Sequence, residues 1–332
     1  MRILILGGTS FLGKHVADVA IDHEHAVTLF NRGKTNPGAV PGIELIRGDR
    51  DGTLEGLRGR RWDMAFDFSG HVPRMVGLSA RLLQEAVDHY TFISSISVYA
   101  DFSRERMKED AEVLELLDPD TEDVGQYYGA LKSHCERVVH SFFDGRALTI
   151  RPGLIVGPYD PSDRFTYWVR RFARGGEIVV PGRPERPVQF IDARDLAQWV
   201  VGLAEQRVTG VFNATGPART TTMADLWRLM VKGTGSNGQL TWLPDDFLLK
   251  ENVGEWQNLP LWIAEKTGWP GFMTINIDRA LSHGLVFRAL EDTVRDTLQW
   301  DRQRPQPDPL HAGLSADQEE ALYQHWLAQA GS

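Results

Sequence analysis

Cysteine is all but absent. Cys135 stands alone in 332 residues, so no intrachain disulfide can form, and a reducing cytoplasm is the expected setting. Basic charge is also short: 36 Lys and Arg face 45 Asp and Glu, a net charge of -9. That balance argues against a general affinity for nucleic acid or anionic membrane and points to small molecules or proteins as partners. No apolar run reaches the roughly 18 residues that a membrane-spanning helix needs. The opening "MRILILGG" has one basic residue and no small-residue cleavage site, unlike a signal peptide. Internal repeats and low-complexity tracts are missing too. What is there is an ordinary globular composition, 42% hydrophobic, 24% charged and 10% aromatic, in a chain long enough for one large or two moderate domains.

Over the first 150 residues short apolar runs alternate with longer amphipathic ones. Strands are predicted at "RILIL" (2–6), "AVTLF" (26–30), "IELI" (43–46), "MAFDF" (64–68), "YTFIS" (90–94) and "ALTIR" (147–151), and helices near 11–22, 74–88 and 126–142. Apolar strands separated by helices predict a parallel sheet covered on both faces, an α/β protein of the Rossmann-type doubly wound class. After Arg151 proline, glycine and tryptophan become denser, which predicts a smaller, less regular C-terminal region. "VFNATG" (211–216) reads as one more buried strand. The expected division is a dinucleotide-binding domain over 1–155, to which the strand near 211–215 returns, and a mainly substrate-binding region over 156–332. Within the latter, "RPQPDP" (304–309) reads as a linker, and Ser315 with Gln318 as a capping box for a last helix carrying Leu322 and Trp326.

The first apolar run enters a glycine cluster, "GGTSFLG", ahead of a helical segment. In a dinucleotide-binding turn the first glycine permits the tight bend, the second lets backbone approach a pyrophosphate, and the last lets helix pack close on strand. Gly7, Gly8 and Gly13 stand for those tasks, with Thr9, Phe11 and Leu12 between them. Ser10 replaces a third close glycine; it can take a negative φ and offer its hydroxyl to phosphate. The helix N-terminus adds amide donors. About 18 residues beyond Gly13 the second strand ends in "FNRGK". The acidic residue that takes the ribose 2′-hydroxyl of NAD is missing there. Asn31 occupies the place, and Arg32 and Lys34 follow, a basic pair that suits the 2′-phosphate of NADP and leaves NAD the less favoured cofactor. Solvation of a surface loop is the plainer use of the same pair. Asp49 and Arg50, in "GDRDG", are expected to meet an adenine edge.

Tyr128 and Lys132 are four residues apart, so on a helix they share a face. An ammonium beside a phenol favours the phenolate and brings it toward proton transfer near neutral pH. Ser95, at the end of a strand, is placed to hydrogen-bond the same oxygen. In this order "GGTSFLG", "SSISVY", "YGALK" and "RPGLIVGP" resemble the extended branch of the short-chain dehydrogenase/reductase superfamily, the NAD(P)-dependent epimerase/dehydratase type, over about residues 1–215. The resemblance implies that Tyr128 is the catalytic acid/base, that Lys132 lowers its pKa and binds the nicotinamide ribose, and that Ser95 polarises the substrate oxygen. It further implies hydride transfer between C4 of the nicotinamide and a substrate carbon. Ser69 and Gly70 would lie along the cofactor, and Pro152 to Leu154 beside the nicotinamide amide.

The departures narrow the reaction. Ile96 and Ser97 stand where sugar-nucleotide dehydratases of the branch carry an Asp-Glu pair, and the related decarboxylases need a glutamate at Ser97. Val188 stands where epimerases have the arginine that holds a diphosphate. The resemblance therefore implies an NADP(H)-dependent oxidoreductase acting on a carbonyl or secondary alcohol of a small molecule, with a nucleotide-sugar epimerase holding NAD(P) tightly as the alternative. "GGTxFLG" and "LFNRG" also resemble chloroplast stem-loop RNA-binding proteins, a non-catalytic reading opposed by the negative charge and the complete Ser95, Tyr128 and Lys132 set. A homodimer is compatible with either enzyme.

Weaker signals remain. Residues 101–123 hold ten Asp or Glu against three Arg or Lys, either a lid that prefers neutral or cationic substrates or a solvated excursion. "DRFTYWVRRFARGG" (163–176) offers Arg164, Tyr167 and Trp168 to a substrate pocket, or forms an amphipathic helix with an arginine-rich outer face. His71 and Ser97 are further substrate candidates. His134 and Cys135 lack a second ligand cluster, so no metal site is expected, and Cys135 reads as a small buried apolar residue.

Overall fold

The structure, a computed structural model, describes residues 1–35, 40–305 and 310–330. In chain order the strands are β1 (Arg2–Leu6), β2 (Ala26–Asn31), β3 (Glu44–Arg47), β4 (Trp62–Asp67), β5 (Val87–Ile93), β6 (Ala147–Pro152) and β7 (Ile155–Val156). They continue as β8 (Glu177–Pro181), β9 (Pro187–Val188), β10 (Ile191–Asp192), β11 (Gly210–Ala214), β12 (Thr221–Thr222) and β13 (Gln239–Leu243). The helices are α1 (Phe11–Asp22), α2 (Pro73–Leu83), α3 (Val124–Phe142), α4 (Arg164–Arg174) and α5 (Ala193–Glu205). After these come α6 (Met223–Thr234), α7 (Asp245–Lys250), α8 (Asp278–Ser282), α9 (Leu290–Gln303) and α10 (Ala316–Ala330).

Seven strands form one sheet in the order β11-β6-β5-β4-β1-β2-β3, and each neighbouring pair is parallel. Alternation along β1 explains how both faces are covered. Ile3 and Ile5 join Val16, Ala17 and Ala20 of α1 and Leu196, Ala197, Val200 and Ala204 of α5 in one core. Leu4 and Leu6 point the other way, into a core shared with Val76, Ala80 and Leu83 of α2 and Cys135 and Val139 of α3. The strand order reverses between β1 and β4, and such a switch point opens a crevice at the carboxyl edge of the sheet. The helix predicted to reach residue 88 stops at Leu83, because Val87 already pairs with Trp62 as β5 begins.

A second core surrounds Trp168, Phe172 and Trp227, with β8 paired to β13 and helices α4, α6 and α9 contributing. Each such fully buried side chain contributes about 2–3 kcal/mol by leaving water. The Ser315–Gln318 capping box is formed: the Gln318 amide donates to Ser315 Oγ at 3.2 Å, and the Ser315 amide donates to Gln318 Oε1 at 2.9 Å. Of the expected linker at 304–309, residues 306–309 lie outside the described residues. Among the described residues no helix is long and apolar enough to cross a membrane.

Candidate functional site

The crevice is a cleft of about 1090 Å³. It runs from the glycine turn, past the end of β2, to Ser95, Tyr128 and Lys132, and on to Pro152–Ile155 and Asp160–Arg164.

At one end Gly7 (φ +104°) and Gly8 (φ +82°) hold backbone that L side chains rarely adopt. A Cβ on Gly8 would stand 2.7 Å from Ile5 Cγ2, and one on Gly13 would stand 2.7 Å from Gly8 Cα. The turn is therefore pressed against its own strand and helix, and a side chain at either position would force them apart. Ser10 is extended (φ -139°) and makes no side-chain cap, so its hydroxyl and the first amides of α1, which the helix cannot satisfy, remain for a ligand. Asn31 lines the cleft and also braces it, donating from Nδ2 to Gly7 O at 3.1 Å and accepting from the Gly33 amide at 2.8 Å. Arg32 and Lys34 are exposed on the same wall.

At the chemical end Ser95 follows β5, and its Oγ accepts from the Ser97 amide at 3.1 Å and donates to Ser97 Oγ at 3.0 Å. Helix α3 leaves helical geometry at Tyr127 (φ -116°, ψ 26°), immediately before Tyr128. It packs on the serine turn so closely that a Cβ on Gly129 would lie 2.0 Å from Ser97 O. Gly129 thus sets the approach of Tyr128 to Ser95. Its only sequence signal is its place in "YGALK". Lys132, 1% exposed, donates to Gly70 O at 2.7 Å and Ile93 O at 2.6 Å, and its Nζ lies 4.2 Å from the Phe92 ring centroid. Burial pulls its pKa down to about 8.

Other titratable groups crowd the same region. His71 faces Tyr128, ring centroids 6.2 Å apart. It is exposed to the cleft, yet burial of the rest of the ring and the Lys132 ammonium push its pKa down to about 4. Asp160 is 2% exposed; Oδ1 accepts from the Ser162 amide at 2.8 Å, and burial raises the pKa to about 6.

Residues 71–214 match the model of the NAD dependent epimerase/dehydratase family. A solved UDP-glucuronic acid 4-epimerase from Bacillus cereus, in complex with NAD, superposes with a TM-score of 0.67 over 91% of this chain and 99% of its own, at 16% identity. The chain has the fold of the extended short-chain dehydrogenase/reductases. Two curated relatives are similar to this chain in sequence. Chloroplast stem-loop binding protein of 41 kDa b from Arabidopsis thaliana is 27% identical over 235 residues, 65% of this chain and 58% of the relative, so the chain spans less than two thirds of it. Isoflavone reductase homolog IRL from Zea mays is 23% identical over 261 residues, 75% of this chain and 80% of the relative.

Within this short-chain dehydrogenase/reductase fold most of the expected residues meet in the cleft: Gly7 to Gly13, Asn31, Arg32, Lys34, Asp49, Ser69, Ser95, Tyr128, Lys132, Pro152 and Leu154 all line it. Several expectations change. Arg50 reaches the wall, but its guanidinium is not free for an adenine. It grips the fully buried Asp67 through two bonds of 2.5 and 2.6 Å and also donates to Ser69 and Ser79. Gly70 is buried beneath the wall, where a Cβ would meet Phe92 at 2.5 Å, and its contribution is the carbonyl that receives Lys132. Ser97 is held on Ser95 and is not among the lining residues. Trp168 and Tyr167 leave the substrate pocket altogether. Both are buried in the second core, and the Trp168 indole donates to Pro260 O at 2.7 Å. Lys132 does not lower the Tyr128 pKa here: burial raises it, the nearby Ser95 hydroxyl opposes that, and the ammonium is turned to its two carbonyls.

The acidic insertion is no cleft lid. None of its residues lines the cleft; Phe102 and Met107 pack with Ile275, and Glu115 and Glu122 pair with Arg137 and Arg74. Among the described residues one group of metal-capable side chains comes together, His23, His25 and Glu205. Both imidazoles bond Glu205 Oε1, at 2.8 and 2.7 Å, on the edge of the sheet opposite the cleft.

Proposed function

We propose that the protein is an NADP(H)-dependent oxidoreductase acting on a carbonyl or secondary alcohol of a small molecule. The observation that carries this reading is the continuity of one cleft, from a glycine cradle with helix amides, past Arg32 and Lys34, to Ser95, Tyr128 and Lys132. The residues present fit a dinucleotide: Gly8 and Gly13 let the turn sit close on β1 and α1, and the two exposed cations suit a 2′-phosphate. A bound nicotinamide supplies or takes the hydride.

The chain's own groups handle the proton. Tyr128 donates from its phenol to the substrate oxygen in reduction and accepts the proton back in oxidation. Ser95 offers a second hydroxyl to the same oxygen, positioned by the Ser97 amide. Lys132 puts a positive charge in the floor of the cleft, and with two of its N–H groups given to Gly70 O and Ile93 O, one would be left to hold the nicotinamide ribose. The Tyr128 pKa, raised by burial in the free protein, keeps the phenol protonated until substrate and cofactor complete the site.

The epimerase reading has the family match and the NAD-bound Bacillus cereus neighbour in its favour. Against it, Val188, where the diphosphate-holding arginine is expected, is a buried strand residue. The two readings separate on whether purified protein releases and consumes added NADPH or retains its cofactor through turnover.

The test is Tyr128→Phe, assayed by NADPH absorbance against a panel of carbonyl compounds and by NADPH fluorescence for binding. Turnover should fall by roughly 10²–10⁴-fold while cofactor affinity holds. Unchanged turnover sinks the proton relay.

A further inference from the structure

Among the described residues two buried polar atoms at the far end of the cleft have no hydrogen-bond partner. Asp160, 2% exposed, spends Oδ1 on the Ser162 amide at 2.8 Å, which fixes the carboxyl and leaves Oδ2 buried and unpartnered among the described residues. Arg164, four residues on and opening α4, has a buried Nε in the same condition, and its guanidinium lies 5.9 Å from the Trp256 ring centroid. Both residues line the cleft. The neighbouring Asp163 offers a contrast: it is fully buried too, but Arg304 and the His311 amide take both of its oxygens at 2.6 and 3.1 Å. Buried polar groups in folded proteins are almost always satisfied, and exceptions call for an explanation. The loop ties down Asp163 completely and leaves Asp160, a residue of the cleft wall, with one buried oxygen unpartnered.

We propose that Asp160 and Arg164 form the substrate subsite, taking a hydroxylated oxyanion: a small molecule whose carboxylate or phosphate is gripped by Arg164 and whose hydroxyl donates to Asp160 Oδ2. This rests on reading the cleft as a cofactor-and-substrate site. A planar guanidinium matches the two oxygens of a carboxylate or phosphate, and its cation–π contact with the Trp256 indole favours one orientation before the ligand arrives. An acceptor-only carboxylate selects a donor, so a hydroxyl beside the anionic group satisfies both residues at once. Sites that bury polar groups for a partner discriminate strongly against ligands lacking it. The acidic insertion does not border the cleft, so it sets no repulsive wall against an anion here.

Four probes separate the contributions when titrated calorimetrically into the NADPH-loaded protein: glycerate (carboxylate and hydroxyls), glycerol 3-phosphate (phosphate and hydroxyls), glycerol (hydroxyls alone) and propionate (anion alone). At least one of the first two should bind roughly tenfold tighter than both glycerol and propionate, and which one does identifies the oxyanion. Arg164→Met should reduce it to the level of glycerol, with Arg164→Lys keeping part of the affinity, since the charge remains and the fork is lost. Asp160→Ala should reduce it to the level of propionate, and Asp160→Asn, which keeps an acceptor and the Ser162 bond, should fall less. Four probes binding alike, none binding, or Arg164→Met binding as the unaltered protein does would each overturn the assignment. NADPH fluorescence on every variant separates the two readings: failure to bind NADPH strikes the proposed function, and the probe ranking is then taken on the protein without cofactor.

Discussion

Replacing Arg50 by methionine separates two uses of one arginine. Expected from the sequence at the adenine edge, the guanidinium instead meets Asp67 in two parallel bonds of 2.5 and 2.6 Å, with Ser79 Oγ at 2.7 Å. Asp67 is fully buried and takes the Tyr90 hydroxyl at 2.8 Å and the Ser69 amide at 3.1 Å. Methionine leaves that carboxylate in the interior with two neutral donors and no paired counter-charge, only the more distant Lys132 ammonium. Breaking a buried pair from one side costs about 3–5 kcal/mol, a large part of the roughly 5–15 kcal/mol that holds a domain folded.

The loss depends on pH in a definite direction. In the unaltered protein burial pushes the Asp67 carboxyl up, but Arg50 outweighs it and holds the pKa below the ordinary carboxylate value. A depressed folded pKa contributes stability above the unfolded value, which is lost as pH falls through the folded one. Without Arg50 burial dominates, the folded pKa rises above the unfolded value, and the contribution reverses. It is then destabilising at neutral pH and fades as Asp67 takes up its proton. Urea unfolding at about pH 7.5 and about pH 5 should therefore show a deficit that shrinks at the lower pH. Arg50→Met/Asp67→Leu should recover most of it, because an apolar replacement of both partners leaves no buried charge. Stability within about 0.5 kcal/mol of the unaltered protein, accompanied by weakened NADPH binding, would refute the buried-pair reasoning and return Arg50 to the cofactor.

Two further substitutions test the cofactor end. Arg32→Ala should weaken NADPH by roughly 10–100-fold, the loss of a charge-assisted bond worth about 1.5–3 kcal/mol, and leave NADH nearly unchanged; equal loss for both, by fluorescence titration, refutes the 2′-phosphate assignment. Gly13→Ala places a methyl 2.7 Å from Gly8 Cα and 3.0 Å from Gly8 N. Because these are backbone atoms, α1 must move off the turn, at about 1–3 kcal/mol, and cofactor affinity should fall with stability. A Gly13→Ala protein as stable and as tight as the parent would mean the cradle tolerates slack that the geometry denies it.

The central strands were legible because parallel strands buried on both faces are written as apolar runs: "RILIL" and "ALTIR" coincide with β1 and with β6 but for one residue. Where one pattern runs into the next the signal fails, as at residues 84–88, which continue a helical pattern yet yield the start of β5. In the cleft, residues near one another in sequence were readable and partnerships across the fold were not. Gly129 is needed because the Ser95–Ser97 turn lies against it, a contact between segments about thirty residues apart that no local spacing encodes.

Helix α4 shows the physical limit most clearly. Its arginines read as a solvent face, and the periodicity was sound, since Phe165, Trp168, Val169 and Phe172 do form a fully buried stripe. The charged face, however, is matched by acids. Arg171 is itself buried and bonds Glu319 of α10, 148 residues away, while Arg170 reaches Asp301 of α9 across 131 residues. Hydrophobic periodicity tells which side of a helix must leave water, but a charged side can either face water or be matched by opposite charge, and the two are spelled alike. With α4 closed on its apolar side by aromatics and on its charged side by acids from the last two helices, Arg164 at its first turn is left to the cleft. That is why the candidate substrate residue lies at the start of the helix, while Trp168, one turn on, belongs to the core.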